Sequence, residues 1–403
     1  MKNNFFWRFQ GNEIFYLKKI LSRGLRPKKE KNFNLLLEKK WSKLHKTKYS
    51  ITVNSCTSAL HIALLSLSLK KGDEVLVPSL TPAMCAYAII YSGLTPVFVD
   101  SDKNTFLMDP EDLQKKITSK TKAIILVHMY SGICDGYIFK KIAKKHKLLI
   151  IEDCAEALGA KDKNNNIVGS IGDISCWSFQ YAKHITCGDG GIISTRNKKL
   201  AENIRKFSNL GFKFLKADAD KIKVSKNILQ NPKTKRFDLV GYNYRMNEFS
   251  AAIVLAQLER LNLFLKLRRY VGLGLLKLIN KSGFLVAQEI DKRSYSTFYT
   301  LAVYITNQSI SWKKFREVFI SYGGDSIYAA SQILQCEPSI QKYGLGKCYN
   351  SCSKNCIKNC HGTPVAKNLQ KKILNFCTNQ GSIIEAKKQI EALRKTIKYF
   401  DEK

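Results

Sequence analysis

The chain has 403 residues, of which 45% are hydrophobic, with a formal net charge of +35 and twelve cysteines. That length exceeds what one hydrophobic core usually serves, so a large domain with a smaller one attached is expected. No apolar run reaches the roughly 18 residues of a membrane span, and charge interrupts the N-terminal MKNNFFWRFQGNEIFYLKK too early for a secretory signal, which reads as a cytoplasmic protein without a membrane contact.

From residue 57 the pattern alternates helix and strand: TSALHIALLSLSL reads as a helix, DEVLVP as a strand, AYAIIYSG as a helix and TPVFVD as a strand. Asp109 and Pro110 supply an N-cap and first-turn proline for a helix around EDLQKKI. Then follow the strand KAIILVH, a helix around FKKIAKKH, the strand LLIIED and, after residue 190, the strand GIIST. Short apolar strands separated by helices predict a mainly parallel sheet covered on both faces. Residues 212–237 are polar and lysine-rich and read as a long surface loop, of a kind that is often functional. Residues 246–262, MNEFSAAIVLAQLERLN, predict an amphipathic helix. Beyond about residue 265 long helices and the strand-like STFYTLAVYI take over, ending in the helix SIIEAKKQIEALRKTIKYF. The expected division is therefore 1–265 for an N-terminal segment and large domain, and 266–403 for a small C-terminal domain.

Cys56, Cys85, Cys154 and Cys176 lie in apolar strand or helix patterns and read as reduced core thiols. The basic residues are scattered as KK, KKEK, KTK and RNKK without interleaved aromatics, which favours solvated faces over a nucleic-acid surface.

The segment 176–191, CWSFQYAKHITCGDGG, places Lys183 between an apolar strand and a glycine-rich turn. Upstream, LLIIEDCAEALGA runs a strand into Glu152 and Asp153, so a carboxylate stands at a strand's C-terminal end, where open α/β sheets bind ligands. A buried amine and a strand-end carboxylate are what pyridoxal 5'-phosphate requires: the amine for an imine with the aldehyde, the carboxylate to keep the ring nitrogen protonated. Outside such a setting the same lysine reads as a surface residue in a turn, and the aspartate as a helix cap.

The succession SCTSALHIALL, DEVLVPSLTPA, TPVFVD, TKAIILVHMYSG, IEDCAEALGA, GSIGDISCWSFQYAKHITCGDGGIIST and GYNYRMNEFSAAIVLAQLERL resembles the DegT/DnrJ/StrS family of aminotransferases, closely over residues 50–262 and loosely beyond. The resemblance implies fold type I of the pyridoxal-phosphate-dependent transferases, an aspartate aminotransferase-like α/β protein with a smaller α+β C-terminal domain. It implies amino transfer from glutamate or glutamine to a keto group of a nucleotide-linked sugar, with Lys183 as the cofactor-bearing base that shuttles the substrate proton. By the same resemblance Asp153 holds the pyridine nitrogen, Thr57 and Ser58 begin a helix that receives the phosphate, Ser178 adds a hydroxyl contact, and Asn243 reaches the phosphate of a neighbouring subunit in a homodimer with shared active sites. Glu156 stands where the family commonly has glutamine or histidine near the cofactor hydroxyl, Cys56 where it usually has glycine, and Pro82 where it often has an aromatic against the ring.

Two other readings follow from the same residues. His184 directly follows Lys183, and a branch of the family that removes a sugar hydroxyl carries histidine in place of the lysine; alignment on SF and GDGG puts Lys183 at the catalytic position, with a dehydratase as the alternative. A non-catalytic protein binding polyanions is the other. Cys348, Cys352, Cys356 and Cys360, followed by His361, raise a metal reading. As one helix they would span about 18 Å, against about 4.6 Å for two thiolates on one zinc, so only a loop could gather them, and no metal is assigned. The sugar, the keto position, the stereochemistry and the donor are not legible in the sequence.

Overall fold

The computed structural model describes residues 5–25, 32–218, 224–343 and 362–402. Cys348, Cys352, Cys356, Cys360 and His361 lie outside the described residues.

Seven strands form the first sheet: β1 (Tyr49–Val53), β2 (Glu74–Pro78), β3 (Thr95–Val99), β4 (Thr121–Val127), β5 (Leu149–Asp153), β6 (Ile174–Ser178) and β7 (Gly191–Thr195), in the order β1-β7-β6-β5-β4-β2-β3. The β2–β3, β2–β4, β4–β5 and β5–β6 pairs are parallel, while β7 runs antiparallel to both β6 and β1. The strands expected from DEVLVP, TPVFVD, KAIILVH, LLIIED and GIIST all form. Their continuous apolar runs are what a sheet buried on both faces demands: in β5 every residue from Ile150 to Asp153 is buried.

The helices on the N-terminal side of the chain are α1 (Glu13–Leu21), α2 (Phe33–Leu44), α3 (Cys56–Ser66), α4 (Met84–Tyr91), α5 (Pro110–Lys115), α6 (Gly136–His146), α7 (Lys198–Ser208), α8 (Lys226–Gln230) and α9 (Glu248–Glu259). Asp109 caps α5 through the Glu111 amide, with Pro110 in the first turn as the sequence predicts. One apolar cluster joins the sheet to α3, α4, α6 and α7. A second joins α2 and α9 to Trp177, Phe179, Ile185 and Ile192 around the lysine segment, with the Trp41 ring edge-on to both Trp177 and Phe179. Such aromatic pairs add about 0.5–1.5 kcal/mol each beyond area burial.

The helix predicted over 246–262 departs from expectation in two ways. It breaks at Arg260 into α9 and α10 (Leu261–Ile279), and α9 is buried nearly all round because α1 and α2 pack against it. Its small residues Ala251, Ala252 and Ala256 allow that approach. The 212–237 segment is closed at its base by a Phe212–Phe237 bridge and carries the short helix α8.

A second, fully antiparallel sheet of order β10-β11-β9-β8 contains β8 (Leu285–Ala287), β9 (Thr300–Ile305), β10 (Tyr328–Ala329) and β11 (Ile373–Cys377). Helices α10, α11 (Trp312–Ser321) and α14 (Ile383–Asp401) cover it around Phe315, Phe319 and Phe376. Two short helices, α12 (Pro338–Lys342) and α13 (Pro364–Gln370), lie between β10 and β11 in sequence. The Asp100 carboxylate, just after β3, accepts from the Val365 and Ala366 amides at 3.0 and 2.8 Å and ties the start of α13 to the first sheet. Among the described residues no helix is long and apolar enough to cross a membrane.

Candidate active site

Strand β5 delivers Asp153 to the C-terminal edge of the parallel strands, 6% exposed. Its Oδ1 accepts from the Ala155 amide at 3.0 Å and lies 3.9 Å from the Cys56 thiol; Oδ2 accepts from the Cys85 thiol at 3.3 Å. No cation pairs with it among the described residues. A buried carboxylate satisfied only by an amide and weak thiol donors has room for a strong N–H donor. Beside it, Glu152 is anchored in the opposite direction, accepting from the Gly169, Ile171 and Gly172 amides at 3.0, 2.8 and 2.6 Å and from His128 Nε2 at 3.2 Å. Glu152, His128 and Cys154 lie close enough to suit a metal. However, the Cys134 amide already occupies His128 Nδ1 and the Glu152 oxygens are saturated, so the trio fixes the end of β5.

Lys183 stands on the loop between β6 and β7. Its amide bonds to Gln180 O at 2.9 Å, and Thr186 Oγ1 closes back onto Phe179 O at 3.0 Å. From α9, the buried Gln257 amide grips both backbone groups of Thr186, accepting at 2.9 Å and donating at 2.8 Å. At Gly191 an added Cβ would sit 2.6 Å from the Ser55 carbonyl, so glycine there lets the strand leaving this loop pack against the turn before α3.

The Lys183 side chain, 14% exposed, places Nζ 3.2 Å from Glu156 Oε1 and 4.2 Å from the Tyr299 ring centroid. Glu156 is held in turn by the Tyr130 amide at 2.9 Å on Oε2. Tyr130 adopts a left-handed backbone, φ 62°, and so does Phe298, φ 48°, next to Tyr299; such costly conformations gather where surroundings over-determine them, as at functional sites. Burial pulls the Lys183 ammonium toward losing its proton, but the Glu156 charge and hydrogen bond, with Tyr299 and Asp153, more than offset it and hold its pKa above the ordinary lysine value. Replacing Glu156 by glutamine leaves burial opposed by fewer partners. The pH at which Lys183 in the cofactor-free protein becomes reactive toward an amine-directed reagent should therefore fall by about 1 unit or more, read by mass spectrometry across a pH series; an unchanged midpoint would dissolve the pairing.

The turn before α3 faces the same carboxylate through Cys56. Ser55 is the N-cap, accepting from the Ser58 amide at 3.1 Å, which leaves the Cys56 and Thr57 amides at the open end of the helix. The Ser58 hydroxyl is turned to Asn54 Oδ1 at 2.6 Å. Ser178 ends β6 with its hydroxyl accepting from the Gln180 amide at 3.3 Å. Asn243 is exposed, on a segment bonded to this turn through Tyr244 O and the Asn54 amide at 2.9 Å. His184 is buried beside Tyr299, where burial and the charges of Arg268, Lys183 and Arg8 hold it well below the usual histidine range.

Sequence reasoning missed Tyr299, Tyr130, Cys85 and two arginines, Arg8 and Arg268. Tyr130 lies in the motif TKAIILVHMYSG and Cys85 reads from sequence as a core thiol, but neither is given a role in the site there, and Tyr299, Arg8 and Arg268 lie outside the motifs of the family resemblance.

Residues 12–328 match the model of the DegT/DnrJ/EryC1/StrS aminotransferase family. The chain belongs to this family. It is 40% identical over 269 residues to a GDP-perosamine synthase of Escherichia coli O157:H7, covering 67% of this chain and 68% of that one. It is also 40% identical over 242 residues to a GDP-perosamine synthase of Caulobacter vibrioides, covering 60% of each. An aminotransferase structure from Psychrobacter cryohalolentis superposes with a TM-score of 0.81 at 26% identity over 96% of both chains. The E. coli GDP-4-keto-6-deoxy-D-mannose-3-dehydratase with bound hydrated PLP superposes at 0.80, also over 96% of both, at 23% identity. The architecture is fold type I, the fold in which the E. coli dehydratase holds hydrated pyridoxal 5'-phosphate. The donor set fits that group: an amine at Lys183, a buried carboxylate without a cation at Asp153, and free amides at the start of α3.

Proposed function

We propose that the protein transfers an amino group from glutamate or glutamine to the keto group of a nucleotide-linked sugar, with the GDP-linked class favoured by the names of its relatives. The observation that carries the proposal is the placing of Lys183, and not His184, against Glu156 beside the uncompensated carboxylate of Asp153. When bound, pyridoxal phosphate supplies a reactive aldehyde and an electron-accepting ring. In this reading Lys183 holds the cofactor and then carries the proton of the carbon being aminated. Asp153 keeps the ring nitrogen protonated, and Glu156 orients the lysine before the cofactor binds. The Cys56 and Thr57 amides, with the Thr57 and Ser178 hydroxyls, receive the phosphate, and Ser58 joins them only when its hydroxyl turns over from Asn54 Oδ1.

Asn243 is proposed to complete the phosphate site of a second copy, which makes the working form a homodimer; its exposure beside the α3 turn supports this. The boundary near residue 265 is proposed to fall within α10, which packs on the second sheet and on α14. The eight described cysteines, all free, support a reducing compartment, taken to be the cytoplasm.

Incubation with pyridoxal phosphate, glutamate and a GDP-linked keto sugar tests the proposal. The expected product is an amino sugar with equimolar 2-oxoglutarate, by mass spectrometry. Loss of water from the sugar without retained nitrogen would instead establish the dehydratase reading.

A further inference from the structure

Arg8 lies upstream of the residues that match the family, in a 3-10 turn spanning Phe5–Phe9. The turn is anchored on the lysine side of the molecule. Arg260 donates to the Trp7 and Arg8 carbonyls at 3.1 and 3.3 Å, the Trp7 ring meets Phe264 edge-on at 5.6 Å, and it lies over Gly381, where an added Cβ would sit 2.5 Å from it.

From this anchor the Arg8 guanidinium enters the interior, 2% exposed. It donates to the carbonyls of Tyr181 at 2.7 Å, of His184 at 3.1 Å, and of Lys183. A second buried guanidinium, Arg268 from α10, converges on the same loop at the Ala182 and Lys183 carbonyls, 3.1 and 3.5 Å, while bonding to Tyr299 O at 2.8 Å and to Asn379 and Thr378. Neither arginine pairs with a carboxylate among the described residues. Two buried like charges without counter-ions are costly, and the oxygens that answer them are mostly main-chain carbonyls of residues 181–184. Every carbonyl from Tyr181 to His184 is thus turned toward a cation.

We propose that Arg8, acting with Arg268, is a positioning residue that locks the backbone of the Lys183 loop so that the amine is held over Glu156 and Tyr299. The N-terminal turn is then part of the working site although it contributes no atom to the reacting groups. A loop released from the arginines would let Lys183 swing through a wider arc and meet an aldehyde less often in the correct geometry. This inference rests on the reading of Lys183 as the cofactor-bearing residue.

The test uses the full chain with Arg8→Met and Arg8→Lys. In the cofactor-free protein, amide exchange over residues 181–187 should rise about tenfold in Arg8→Met, the loss expected when charge-assisted hydrogen bonds are removed, while β4, β5 and β7 keep their parent rates. Capture of pyridoxal phosphate at Lys183, trapped with borohydride and mapped by peptide mass, should slow by a similar factor. Arg8→Lys, which keeps the charge but cannot span three carbonyls, should fall between and remains informative if the methionine variant fails to fold. In turnover, kcat should drop with little change in donor KM. Unchanged exchange in residues 181–187, or exchange that rises equally across the sheet, would overturn the proposal. If the parent captures no pyridoxal phosphate at all, the reading of Lys183 fails while the exchange result still decides the clamp.

Discussion

Lys183→Ala should abolish amino transfer and lower kcat/KM by at least about 10³-fold, because general acid–base help from such a group alone contributes about 10²- to 10⁴-fold and the covalent anchor goes with it. The same variant should form no imine with pyridoxal phosphate: the shift in the cofactor's own absorption that the parent produces should be missing, and borohydride should fix no cofactor at position 183. Lys183→Arg separates chemistry from structure: a guanidinium can still face Glu156 and the Tyr299 ring, as the ammonium does at 3.2 and 4.2 Å, but it cannot condense with an aldehyde. The arginine variant should therefore fold like the parent and remain inactive. Measurable steady-state turnover in either variant would move the catalytic role elsewhere, with the buried His184 as the first alternative to examine.

Asp153→Asn should reduce kcat by about 10²- to 10³-fold, the cost of removing one preorganised electrostatic partner from a water-poor site. The substitution is nearly isosteric. An amide oxygen can still accept from the Ala155 amide at 3.0 Å, so thermal stability should barely change, and the loss can be assigned to charge. Physically, Asp153 holds no cation of its own among the described residues, so its full charge is available to a ring N–H. Affinity for pyridoxal phosphate should weaken as well, read by absorbance titration. Parent-level turnover in Asp153→Asn would show that the ring nitrogen does not depend on this carboxylate.

The immediate surroundings of Asp153 also bear on how this family member differs from the common pattern. Cys56 places a thiol near the carboxylate, at 3.9 Å from Oδ1, where a glycine would leave open space. Burial, with the charge of Asp153, raises that thiol well above the ordinary cysteine value, and Cys85 behaves likewise. Both remain neutral thiols at physiological pH, and neither adds charge against the aspartate.

Local pattern already carried much of this architecture. LLII before Glu152 and Asp153 is short, apolar and closed by charge, and GIIST opens on glycine with two isoleucines followed by small hydroxyl residues, which leaves a short buried strand as the consistent outcome, and β5 and β7 form as expected. The ending of β5 in Asp153, the position of Lys183 before GDGG and the cap at Asp109 are likewise properties of a few consecutive residues. Side-chain burial on α9 was beyond that reach, because a window of sequence shows which residues are apolar but not how many neighbours cover them; α1 and α2 close its second side. The assembly around Lys183 was further still from view. Arg8 and Arg268 stand 175 and 85 residues from the carbonyl they share, Tyr299 arrives from the approach to the second sheet, and the Glu156 carboxylate that faces the lysine is held from its other oxygen by the amide of Tyr130, in a left-handed backbone. Contacts of that kind depend on how the layers pack and on where buried charges find oxygens, conditions that arise only once the chain has folded.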